Sequence, residues 1–423
     1  VLLTTESSGQ LWSVCAWDIQ TGASVRTFKG GTVQEGSLCV LAGRTLIGAS
    51  LAKPVLQLWS LLKKEDVQQK IVCPGRVSAI CVSPDGLHCV ASIAEKLYVW
   101  EMCAGNLLAV LDGHYLEVRK IRFTDDSNFF VTGSEDGIVT VWSLAVVVSR
   151  TRRRAAGPRP RHTWMGHPLP VTDIHVGCGG SRARVVSSSI DRTCKMWDME
   201  SGEQIQTFVY EEAVHSVIMD RPELRLLAGL SSGIICCTPL FAQQMEREQH
   251  ISTKSTHPDQ TIFRGHSDAV LSLAVSYDGS LLVSGSRDST VRVWNLFSGT
   301  PRCTLDHTGS VTNVLLTMLS PGQPSAAHHP PVPNFKQQPV TEEGASASRV
   351  FNMNLPEASD PEWLSPAFAS PFDMPEHGMF TTPNQEDEEQ DNSQDISGLQ
   401  KEVSHLKQVN QEMYSFLTSK IVT

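Results

Sequence analysis

The sequence predicts an all-β chain folded as a seven-bladed β-propeller, followed by a disordered linker and a C-terminal coiled-coil helix. Three observations predict it. Tryptophan ends a recurring apolar segment at intervals of about one blade. Between the tryptophans, apolar residues alternate with the period of two that marks strands. Beyond residue 318 this alternation stops, proline and acid take over, and only a helix-forming stretch follows.

The tryptophans close the segments CAWDIQTG, LQLWSL, LYVWEMCAG, VTVWSL, CKMWDMESG and VRVWNLFSG, at Trp17, Trp59, Trp100, Trp142, Trp197 and Trp294. The first three gaps are 42, 41 and 42 residues, and the Trp142 to Trp197 gap is 55, one repeat plus an insertion. One further repeat after Trp197 falls at Thr238 in GIICCTPLF, where the strand pattern persists without its tryptophan. From Thr238 to Trp294 is 56 residues, again a repeat plus an insertion, so seven repeats are present and one is degenerate.

A period near 40 to 45 with this motif resembles the WD repeat, in which each unit forms a four-stranded antiparallel propeller blade. In the best unit, residues 265–296, three strands alternate around a Tyr277-Asp278-Gly279-Ser280 turn. His266, Ser284, Asp288 and Trp294 hold the positions that link tryptophan, hydroxyl, imidazole and carboxylate by hydrogen bonds in WD repeats. The spacing recurs as His167, Ser187, Asp191 and Trp197, and as His114, Thr132, Asp136 and Trp142. A hydroxyl, a histidine and a carboxylate together suggest nucleophilic catalysis. Repetition from blade to blade points instead to structure, because a catalytic site occurs once.

Ring closure is also written in the sequence. The chain opens on VLLTTE and the Trp17 strand without a blade's first strand, while DHTGSVTNVLLT reads as a first strand with no blade after it. The expectation is a clasp that completes the first blade and leaves no open sheet edge. The propeller then spans residues 1–318, with insertions at 145–165 and 242–262.

The first insertion carries Arg150, Arg152, Arg153, Arg154, Arg159 and Arg161 with no acid, among proline and glycine. Contact with RNA phosphates, a nuclear import signal and a solvated surface loop compete as readings. The second insertion is mixed in charge. Residues 319–395 are proline-rich and then acidic, the composition of a disordered linker, with an end-to-end distance on the order of 50 Å. In PEWLSPAF, Trp363 and Phe368 offer a docking segment.

Residues 396–423 read as a helix about 40 Å long. Ile396, Val403, Asn410 and Leu417 fall at heptad position a, with Leu399, Leu406 and Met413 at d. This pattern favours a parallel two-stranded coiled coil and hence a homodimer, in which Asn410 fixes the register and Glu402 faces Lys407 of the second copy. Packing on the propeller or on another protein is the competing reading.

Composition bounds the rest. The 423 residues carry a net charge of −10, which argues against a wholly basic nucleic-acid binder, and no apolar run is long enough for a membrane helix. The eleven cysteines include no CxxC pair, which fits buried thiols in a reducing compartment and no zinc; no cofactor is implied. The first residue is Val1 rather than Met, so the chain reads as processed or incomplete.

Residues 73–118, residues 169–205 and the terminal LKQVNQEMYSF resemble the WD repeat-containing protein 18 family of ribosome-assembly propellers. The likeness covers the propeller and the last helix, and not the arginine-rich loop or most of the linker. The resemblance implies a non-catalytic scaffold in a nuclear complex, nucleolar and nucleoplasmic with a cytoplasmic pool, that matures the pre-60S particle. It implies processing of the second internal transcribed spacer of the rRNA. The implied partners are a proline-, glutamate- and leucine-rich scaffold protein, a testis-expressed helical-repeat protein, the midasin ATPase and a SUMO-specific isopeptidase.

Two other classes compete. Many propellers are substrate receptors of ubiquitin ligases, but their adaptor signature places Arg two residues after Trp-Asp. Here Trp17-Asp18 is followed by Ile19-Gln20 and Trp197-Asp198 by Met199-Glu200. An enzyme using the propeller channel would need an unrepeated set of acid, base and nucleophile, and the sequence offers none.

Overall fold

Every recurring tryptophan lies at or near the end of the third strand of a sheet built on four antiparallel strands, and seven such sheets, one of them with a fifth strand added, form the ring. This arrangement is taken from a computed structural model of the chain. It describes residues 1–317, apart from 10–11, 42, 62–67, 150–157, 241–246 and 254–260, together with residues 332–337. The helix at 396–423, the docking segment with Trp363 and Phe368, and Arg150, Arg152, Arg153 and Arg154 lie outside the described residues.

The blades are numbered from the N-terminus. Their first strands, beginning with Val33–Leu41 in blade 2 and ending with Val270–Val275 in blade 7, pack side by side around the central channel. Blade 1 takes its first strand from the far end of the propeller sequence. Val311–Leu316 pairs antiparallel with Leu2–Glu6, and the Thr317 N–H donates to the Val1 carbonyl at 3.0 Å. The buried Glu6 carboxylate accepts from the Thr308 N–H at 2.9 Å and the Thr308 hydroxyl at 2.8 Å. The clasp thereby leaves blade 1 with the same four strands as its neighbours.

The core lies between blades. Ala79, Val90, Leu97 and Leu111 of blade 3, for example, meet Val118, Ile121, Phe130 and Trp142 of blade 4 in one buried cluster. In blades 1, 3, 5 and 7 the pairing with the fourth strand slips at the tryptophan. A tight turn follows, closed by Gly22, Gly105, Gly202 and Gly299 donating to the carbonyls of Asp18, Glu101, Asp198 and Asn295. All four glycines have φ between 64° and 77°, which explains the glycine of the WDxxxG pattern.

Three expected boundaries need correction. The range 145–165 contains part of a short helix, Leu144–Val148, with Val147 buried, and blade 4's fourth strand, His162–Trp164. The range 242–262 contains Glu248–Ile251, which adds a fifth, parallel strand outside Gln204–Tyr210 of blade 5, and it overlaps blade 6's fourth strand, Thr261–Phe263. A short strand surrounded by polar residues has too weak a local pattern to be read, because its pairing partner lies about one blade away. Finally, Val332–Gln337, inside the range read as a linker, packs on blades 2 and 3. Proline-rich composition forbids a ladder here, but not single backbone contacts.

Candidate functional site

The repeated polar sets are the part of the chain that most resembles chemistry, and their geometry decides what they do. In blade 7 the Trp294 Nε1–H donates to Ser284 Oγ at 2.8 Å, Ser284 Oγ lies 2.7 Å from His266 Nε2, and His266 Nδ1 lies 2.9 Å from Asp288. A carboxylate only accepts, so Nδ1 carries the proton and Nε2 accepts from the serine hydroxyl. Blade 5 repeats this with Trp197 to Ser187 at 3.0 Å, Ser187 to His167 at 2.8 Å and His167 to Asp191 at 2.8 Å.

Blade 4 differs. His114 lies 2.8 Å from Thr132 and 3.2 Å from Asp136, but Trp142 Nε1 has no hydrogen-bond partner among the described residues. The spacing alone predicts that third link. The Trp142 ring instead lies under Gly113 and parallel to Phe130, at 6.3 Å and 13°.

A further set was missed in the sequence because it spans the clasp. Trp17 Nε1–H donates to Thr4 Oγ1 at 2.8 Å, and His307 Nε2 lies 2.9 Å from the same oxygen. The available signal is that His307 precedes Val311 by four residues, as His266 precedes Val270. Blade 2 has Gly48 at the serine position, and Trp59 Nε1–H donates to the Lys29 carbonyl at 2.9 Å.

The hydroxyls of Ser284, Ser187 and Thr132 are fully buried, and each is held between groups of its own blade. No substrate carbonyl reaches them, so the sets act as architecture. For Asp288, burial pushes the carboxyl up, but Thr290, the Ser267 N–H and His266 outweigh it and leave it below the ordinary carboxylate range. Burial holds His266 down against the pull of Asp288, so the imidazole stays neutral.

The channel mouth carries opposed charges. A cavity of about 230 Å³ is lined by Arg76, Arg119 and Lys120 and by Glu35, Glu117 and Glu135. Arg119 pairs with Glu135 at 2.6 Å, and the buried Lys120 with Asp173 at 3.4 Å. The lining neutralises itself. All eleven cysteines are free thiols, and burial pushes Cys73 and Cys236 up to about 12. Among the described residues, no three His, Cys, Asp or Glu side chains group to hold a metal ion, and no helix is long and apolar enough to cross a membrane.

What the propeller offers outward is its faces. Antiparallel pairing puts the connections between blades and the turns between second and third strands at one end of the ring. Tyr115, Leu116, Met165, Leu169 and Ile190 are exposed there on blades 4 and 5. The described arginines of the first insertion, Arg159 and Arg161, are exposed at the opposite end, with Arg161 over the Phe129 ring at 4.9 Å.

Residues 105–143, 158–198 and 258–295 match the model of the "WD domain, G-beta repeat" family, so the fold and its blade networks define a WD-repeat propeller. The chain is 35% identical to WD repeat-containing protein 18 of Danio rerio over 99% of its own length and 97% of that protein's. It is 34% identical to the human protein of that name, with the same coverage. Pre-rRNA-processing protein pro-1 of Caenorhabditis elegans is 29% identical over 70% of this chain and 57% of the relative. This chain belongs to the WD repeat-containing protein 18 family.

Proposed function

We propose that this chain is a non-catalytic scaffold subunit of a nuclear complex that matures the large ribosomal subunit. Its near-full-length similarity to WD repeat-containing protein 18 carries the reading, and the name of pro-1 gives the process, pre-rRNA processing. The propeller supports it physically: its hydroxyl, imidazole and carboxylate sets are buried in the blades, while exposed apolar side chains at both ends of the ring, Tyr115 and Met165 at one and Tyr277 and Phe297 at the other, remain for partners.

The finer proposal places the chain in the nucleolus and nucleoplasm, at processing of the second internal transcribed spacer. Its partners are the proline-, glutamate- and leucine-rich scaffold, the helical-repeat protein, midasin and the SUMO-specific isopeptidase. Residues 396–423 pair two copies through Ile396, Leu399, Val403, Leu406, Asn410, Met413 and Leu417. The arginine-rich insertion contacts RNA or directs import.

Purification of the tagged chain from nuclear extract, followed by mass spectrometry, tests this reading. Recovery of the scaffold, the helical-repeat protein and midasin is expected. Recovery of a cullin adaptor without ribosome-assembly factors would overturn it.

A further inference from the structure

Blade 3 lacks the means to satisfy its own tryptophan. Trp100 is fully buried, yet the register puts Ala91 and Cys73 where blade 7 has Ser284 and His266. Neither can replace the serine oxygen that accepts an indole proton. A second deficit lies on the neighbouring blade. In blades 1, 4 and 6 the fourth strand presents Phe28, Trp164 or Phe263 to the next blade, at 6.5, 5.0 and 5.7 Å from Trp59, Trp197 and Trp294. At the same register position blade 2 presents Ile71, which has no ring.

Residues 332–337 fill both deficits. The Lys336 carbonyl accepts the Trp100 Nε1–H at 2.9 Å, and the buried Phe335 ring stacks on Trp100 at 5.0 Å and 19°. The Lys336 N–H donates to the Gly105 carbonyl at 2.8 Å, and its Nζ lies 2.6 Å from Asn106 Oδ1. Gln69 Nε2 donates to the Val332 carbonyl, and Val332 packs against the same core cluster as Phe335. The backbone of Asn334 comes so close to Gly105 that a Cβ built there would collide with its carbonyl.

We propose that the rim between blades 2 and 3 is a peptide-recognition site for an extended segment of the form Val-x-x-Phe-Lys, occupied in cis by residues 332–337. Backbone groups at Val332 and Lys336 give the segment its register, and Phe335 is its anchor. Chain connectivity holds the segment at an effective concentration in the millimolar range, so a modest intrinsic affinity keeps the site filled. This inference does not depend on the ribosome-assembly reading.

The test uses the full chain and a fluorescein-labelled synthetic peptide of residues 330–339. The Phe335→Ala chain, its site vacated, is expected to bind the peptide saturably and at least tenfold more tightly than the intact chain. A peptide with alanine for Phe335 should not bind. A second chain with Gly-Ser residues in place of 332–337 gives the same readings if the first does not stay folded. Equal binding by intact and vacated chains, equal binding of the two peptides, or no binding by a folded vacated chain would overturn the proposal.

Discussion

Blades 7 and 3 bury the same tryptophan by different means. Trp294 donates to a serine held by a histidine and an aspartate, all within 29 residues of chain, 266–294. Trp100 donates to the carbonyl of Lys336, 236 residues away. The comparison teaches that different acceptors can satisfy a buried indole N–H across a packed seam, and that the fold requires no particular set of side chains; in blade 4 the Trp142 N–H has no acceptor among the described residues. A blade's own polar residues can be dispensed with where another segment supplies the oxygen. Blade 2 makes the same point with the Lys29 carbonyl.

The largest way to break this comparison is Ser284→Ala. It strands both the Trp294 N–H and His266 Nε2 in a buried site, so a loss of about 2 to 4 kcal/mol is expected in denaturant unfolding. The corresponding change on blade 3, Phe335→Ala, should cost less than the roughly 3 to 5 kcal/mol of an ordinary core Phe→Ala change, because the segment can undock without opening the ring. If the blade 3 change proves the larger, the tail segment is part of the ring's core.

Acid separates the blades next. His266 is depressed, so as pH falls below about 6.5 the unfolded chain takes up this proton before the folded one does. Stability contributed by the neutral imidazole is full above that value and is lost as pH falls towards the folded-state value. Asp288, also depressed, adds a loss in the same direction below the ordinary carboxylate range. Blade 3 has Cys73 at the histidine position and so lacks this imidazole–carboxylate pair. Hydrogen exchange between pH 7 and 5, corrected for intrinsic rates, should therefore show Leu281–Ser286 losing protection faster than His88–Ile93. The smallest effect is Ala91→Ser in the Phe335→Ala chain. Restoring a hydroxyl acceptor opposite Trp100 should recover about 0.5 to 1.5 kcal/mol in thermal or denaturant unfolding.

Much of the fold was legible in the sequence because a propeller repeats locally. Period, alternation and turn glycines report the strands of one blade, and the two half-blades at the ends of the propeller gave away the clasp. The sets on blades 5 and 7 were legible for the same reason. The unread parts depend on distant placement. Thr4 and His307 meet only after ring closure, Trp142 shares the spacing of its counterparts but not their hydrogen bond, and nothing local to Ile71 or Ala91 says that Phe335 and Lys336 serve them. Local patterns name the strands, while donor satisfaction across a seam is a tertiary property.

Exchange of the indole N–H protons of Trp100 and Trp294, followed by nuclear magnetic resonance in the intact chain and in the chain with Gly-Ser at 332–337, tests the central comparison most directly. The account predicts that both indoles are protected in the intact chain, and that only Trp100 becomes fast in the replaced one. Protection of Trp100 that survives the replacement unchanged would contradict it.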